Sequence, residues 1–117
     1  MTITAIDEKS PHLKQIVALA RANTSTLGFL PKDAFLEGAH RRTLLVALDD
    51  VGNCLGYLLY GISGKKMLAY IVHLCVRPED RKRKVASALV EELKAVTGNT
   101  LRGIRVRCRR DFEANHV

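Results

Sequence analysis

Residues 67–76, MLAYIVHLCV, are apolar at almost every position. A strand with one wet face alternates apolar and polar residues, so this run must be covered on both sides. A chain of 117 residues has room for about one domain. A strand buried on both faces then fixes the plan of that domain: the run is central in a sheet, with other elements layered above and below it. The period changes just beyond it. After Pro78 and the cations Arg81, Lys82, Arg83 and Lys84, the apolar residues Val85, Leu89, Leu93 and Val96 recur every three to four positions. That spacing is an amphipathic helix of about four turns, stopped by Gly98-Asn99.

The remaining elements fall around this strand and helix. Thr2–Ile6 alternates weakly and reads as a short strand. Ser10-Pro11 marks a helix start, with Ser10 as N-cap and Pro11 at the first helical position; Leu13, Ile16, Val17 and Ala20 follow at helical spacing. Pro31–Gly38 reads as a second, short helix ending at its glycine. Thr43–Leu48 and Cys54–Ile62 are strands joined through the turn Asp49–Asn53, and they form a three-stranded antiparallel meander with 67–76. In Arg102–Arg110 the apolar Ile104, Val106 and Cys108 alternate with Arg105, Arg107 and Arg109, a strand with one cationic face. The order is β-α-α-β-β-β-α-β, an α/β fold with a mixed, mostly antiparallel sheet flanked by helices.

Composition narrows the function classes. No apolar run reaches the ~18 residues of a membrane span. The N-terminus lacks a basic segment followed by an apolar one, so no secretory signal is read there. The three cysteines, Cys54, Cys75 and Cys108, have neither CxxC nor Cys/His zinc spacing, and read as buried free thiols of a cytoplasmic protein with no metal site. The net charge is +7, of which +5 falls beyond residue 75. An anionic partner is therefore expected in the last third.

Four consecutive cations at a helix start oppose the helix dipole, which is positive at that end. Unpaired backbone N–H groups also point outward there. Two readings stand: a solvated charge run, or a site where amides, dipole and side chains together hold a phosphate.

The segment Leu74–Leu93, LCVRPEDRKRKVASALVEEL, resembles the signature of the GNAT superfamily of N-acetyltransferases. In that signature an apolar strand ending in valine leads through a proline to Arg/Gln-x-x-Gly-x-Gly/Ala at a helix start. Its positions fall on Val76, Pro78, Arg81, Lys84 and Ala86, and the order of elements agrees from about residue 2 onward.

The resemblance implies a domain that binds acetyl-CoA and transfers the acetyl group to an amine by direct attack. It implies that Arg81, Lys82, Arg83, Lys84, Val85, Ala86 and Ser87 surround the pyrophosphate, with Leu74, Cys75 and Val76 along the pantetheine arm. Asn115 falls where relatives often place an asparagine near the cofactor. Tyr70 stands where relatives often place a glutamate base. His73, with an ordinary pKa near neutrality, is the second candidate for moving the proton; strict alternation puts it on the face opposite Tyr70. For both, a core role with a satisfied polar atom is the competing reading.

Two features depart from the family. The central glycine of the signature is Lys84, and the chain stops where the family adds two more strands. The domain, residues 1–117, is thus expected to be a fragment, a degenerate member, or one completed by a partner. An open edge on the strand at 102–110 would suit a second copy or a partner chain. The arginine face of that strand raises the alternative of a non-catalytic module binding nucleic acid or a partner protein. No aromatic residue lies in it for base stacking, so recognition of nucleic acid by stacking has little support.

Overall fold

The structure is a computed structural model that describes residues 1–23, 30–63, 68–80, 84–97 and the backbone of 103–106. The described elements are β1 (Thr2–Ala5), α1 (His12–Ala22), α2 (Lys32–His40), β2 (Leu44–Leu48), β3 (Cys54–Ser63), β4 (Leu68–Val76), a single 3-10 turn at Pro78–Asp80, α3 (Val85–Thr97) and β5 (Gly103–Val106). The sheet order is β1-β2-β3-β4-β5. The first four strands pair antiparallel, and β5 runs parallel to β4 over Leu68–Ile71. The expected element order and mixed sheet are both present. Cys108, Asn115 and the arginines at 107, 109 and 110 lie outside the described residues, as do the side chains of β5.

Most of the run at the centre of the sequence is covered on both faces, as its composition leads one to expect; Val72 is exposed. On one side Tyr57, Leu59 and Cys75 pack with Ile16 and Val17 of α1 and Phe35 of α2. On the other, Leu58, Ile71, Leu74 and Val76 pack with Val85, Leu89 and Leu93 of α3. Leu89 and Leu93 are fully buried, each contributing about 1.5–3 kcal/mol over an exposed position. No helix among the described residues is long and apolar enough to cross a membrane.

Two local readings are corrected. Helix α2 does not end at Gly38; it continues to His40. Gly38 sits inside it because an added Cβ would collide with the Leu59 Cδ1 of β3. The helix ends instead on Arg42 at φ 63°, where the Thr43 N–H donates to the Gly38 carbonyl and the Arg42 N–H to that of Ala39, a Schellman closure. At α1 the first helical residue is His12 rather than Pro11, and the Ser10 hydroxyl accepts the His12 N–H at 3.2 Å.

The sheet also carries a slip that alternation does not reveal. Leu59 pairs with His73 but Tyr60 pairs with Ile71, so Val72 has no opposite number on β3. This extra residue resets the parity of β4. Ala69 and Ile71 face α3 before it, and Leu74 and Val76 face α3 after it.

Candidate active site

The bulge at Val72 decides where the two proton-handling candidates lie. Tyr70 and His73 are three residues apart, which places them on opposite faces of a regular strand. With Val72 inserted, both face the α1/α2 side, correcting the expectation. Tyr70 lines a cleft of about 430 Å³ with Glu37 and Arg41 of α2, Thr43, Gly61 and Val72. His73 is directed under α2, where Phe35 meets its ring edge-on.

Tyr70 is set in the cleft by a glycine. Gly61 is its direct partner on β3, and a Cβ there would lie 2.5 Å from the Tyr70 hydroxyl oxygen. The ring occupies the space that a side chain at position 61 would take. Glu37 and Arg41 form an ion pair of 2.8 Å at the cleft's edge.

His73 is buried and held by a residue that pattern reading did not single out. The Tyr57 hydroxyl lies 2.6 Å from His73 Nδ1, and the two rings stack with centroids 5.7 Å apart. Burial drives the Tyr57 phenol far above its ordinary pKa, with the Cys75 and Cys54 thiols adding to the effect. The contact depends on the β3–β4 register, for which the sequence has no signal.

At the far end of β4 the chain turns into α3. Arg77 Nε donates to Asp80 at 2.5 Å and also pairs with Glu79 at 3.1 Å. Asp80 is only 1% exposed. Its hydrogen bond, and then the charges of Asp80 and Glu79, hold the Arg77 guanidinium more firmly protonated. This buried carboxylate was also missed by sequence reading. Arg81, Lys82 and Arg83 follow it and lie outside the described residues.

Lys84, next in line, has φ 61°. This left-handed conformation is one that glycine adopts freely and an L residue pays for. Its carbonyl accepts the first helical hydrogen bond of α3, from Ala88 at 3.0 Å. The N–H groups of Val85, Ala86 and Ser87 precede that bond, and the first turn carries no acidic residue. Lys84 and Ser87 are exposed, whereas Val85 and Ala86 bury their side chains against the sheet. Leu74, Cys75 and Val76 are buried in the second half of β4.

The model of the acetyltransferase (GNAT) family matches residues 13–114. The chain belongs to the GNAT family. No curated protein sequence matches it, but solved GNAT-type structures do. Diaminobutyrate acetyltransferase EctA from Paenibacillus lautus, solved with L-2,4-diaminobutyric acid and coenzyme A, has a TM-score of 0.82 at 14% identity, covering 97% of this chain and 68% of its own. Rv2747 from Mycobacterium tuberculosis, in complex with CoA and NLQ, has a TM-score of 0.78 at 17% identity, covering 99% and 70%. Ribosomal-protein-alanine N-acetyltransferase from Brucella melitensis biovar Abortus 2308 has a TM-score of 0.74 at 16% identity, covering 98% and 86%. At these identities the likeness establishes a shared GNAT fold.

Proposed function

We propose that the chain is an acyl-CoA-dependent N-acetyltransferase, binding acetyl-CoA at the β4–α3 turn and an amine in the cleft between α2 and the β3–β4 pair. The observation that carries this reading is the backbone at Lys84. The residue standing at the signature's glycine adopts a φ of 61°, a backbone conformation that glycine takes freely, which supports the match at that position. The N–H groups of Val85–Ser87, which precede the first helical bond of α3, and a first turn without carboxylates fit a pyrophosphate. Asp80, the acid that most closely precedes them in sequence, is paired with Arg77.

In this reading the amides of Lys84–Ser87 hold the diphosphate, with the ammonium of Lys84 adding charge. The second half of β4, Leu74–Val76, lies along the pantetheine arm. Bound there, acetyl-CoA supplies an activated acetyl thioester. The chain's part is to align an amine with that thioester and to remove its proton. Tyr70, in the cleft, and His73, on the same face, are the side chains on β4 that could take part.

Isothermal titration of acetyl-CoA into the whole chain tests the cofactor site, with 3′-dephospho-CoA as a control. Saturable binding that weakens as salt rises supports the phosphate cradle. A folded chain that takes up no acetyl-CoA overturns it.

A further inference from the structure

Three rings meet on the α1/α2 side of the sheet. Tyr57 stacks on His73 at an interplanar angle of 22°, and Phe35 stands edge-on to both, with centroids 5.4 Å and 6.1 Å away. Tyr57 is fully buried and His73 is 8% exposed. A buried hydroxyl proton left without an acceptor carries its whole desolvation cost. Among the described residues the acceptor that Tyr57 reaches is His73 Nδ1, at 2.6 Å. Were Nδ1 protonated, it would donate to the phenol oxygen, and the Tyr57 proton would lose that acceptor.

We infer that Tyr57 is a positioning residue whose hydroxyl donates to Nδ1 and holds His73 as the neutral Nε2–H tautomer, a hydrogen-bond donor and not a base. The consequence for chemistry is direct. Nε2 already carries a proton, and the Nδ1 lone pair is engaged. For His73 to take the proton of an attacking amine, Tyr57 would have to turn its O–H away from its acceptor. Ionising Tyr57 instead is opposed by burial, which pushes its pKa up. Among the described residues, the titratable groups that act on Tyr57 are the Cys54 and Cys75 thiols; Phe35 on α2 and Leu59 on β3 present only carbon to the pair. The amine's proton therefore leaves by water or by the Tyr70 side of the cleft. This assignment refines the acetyl-transfer reading and rests on it for its kinetic half, whereas the tautomer stands without it.

Nitrogen NMR of the imidazoles in the intact chain decides the tautomer. The expected result is an Nε2–H pattern for His73 that does not titrate between about pH 8 and 5.5, well past the ordinary value of ~6.5. In Tyr57→Phe, losing one hydrogen bond to the neutral ring should raise that titration by about one pH unit, a tenfold change in protonation. An Nδ1–H pattern in the wild type, or titration near 6.5 unmoved by Tyr57→Phe, overturns the inference. The wild-type spectrum suffices if the variant does not fold. With acetyl-CoA and an amine, His73→Asn keeps an N–H donor and should preserve the acid limb of the kcat/KM profile. Loss of that limb would make His73 the base and overturn the inference too. If no amine turns over, the transfer reading fails while the NMR result still stands.

Discussion

Tyr70 occupies the space above Gly61: a methyl group on Gly61 would come within 2.5 Å of the Tyr70 hydroxyl oxygen. Glycine is required here by its missing side chain, since the residue lies in a regular antiparallel pair. The pairing couples β3 to the shape of the cleft. Gly61→Ala should displace the Tyr70 ring and cost about 1–3 kcal/mol of stability, as overpacking does. The same substitution in a Tyr70→Ala background should cost little. Urea unfolding of the four species of this double-mutant cycle measures the coupling, and additive effects would show that the ring moves aside freely.

Lys84 is held at φ 61°, where an L side chain costs about 1–2 kcal/mol. Glycine removes that strain but loses more backbone entropy on folding, about 0.5–1 kcal/mol. Lys84→Gly should therefore stabilise the chain by roughly 0.5–1 kcal/mol, while Lys84→Ala, which keeps the strain, should not. Chemical denaturation separates the two. Titration of acetyl-CoA into both variants then separates backbone path from charge: a loss common to both variants is the loss of the ammonium.

The limits of sequence reading follow from the same strands. The run at 67–76 announced its central position because both of its faces are apolar. That same uniformity hid the bulge, since a run without alternation looks the same before and after a one-residue slip. Alternation alone therefore puts Tyr70 and His73 on opposite faces, and the Tyr57–His73 contact has no signal in the sequence. Gly38 misled for a related reason. Glycine after an apolar helical stretch is a stop signal in isolation, but here its small size admits Leu59 of another element. The cation run, Pro78 and the helix at Val85 were legible because their order is local. Asp80 was not, because a carboxylate beside four cations looks like surface charge until its burial is seen.

Asp80 anchors the turn that leads into those cations. It is 1% exposed, and its Arg77 partner is bonded at 2.5 Å. Removing one partner of a fully buried pair costs about 3–5 kcal/mol, but the Arg77 side chain is 32% exposed and keeps Glu79 at 3.1 Å. Asp80→Ala should therefore cost less, about 1–3 kcal/mol. It should also weaken acetyl-CoA binding more than Glu79→Ala, which leaves the turn bonded. Equal effects of the two variants would show that Arg77 needs only a nearby acid.

The buried thiol of Cys54 predicts an alkaline limit to stability. Burial raises its pKa from 9.0 to about 11, against smaller opposing contributions from a backbone hydrogen bond at Gly56 and the charge of Arg77. The unfolded chain loses this proton first, so above pH 9 it binds fewer protons than the native chain. Stability is therefore complete below about pH 9 and falls as the pH rises toward 11, by up to about 1.4 kcal/mol per pH unit. The Tyr57 phenol, raised in the same direction, adds to the fall above its ordinary pKa of ~10. Cys54→Ala should lessen the fall between pH 9 and 10 and leave the steeper descent above it. Urea midpoints collected from pH 7 to 11 under reducing conditions check this. A wild-type midpoint that stays level through pH 10 would mean that the Cys54 thiolate is accommodated in the folded chain.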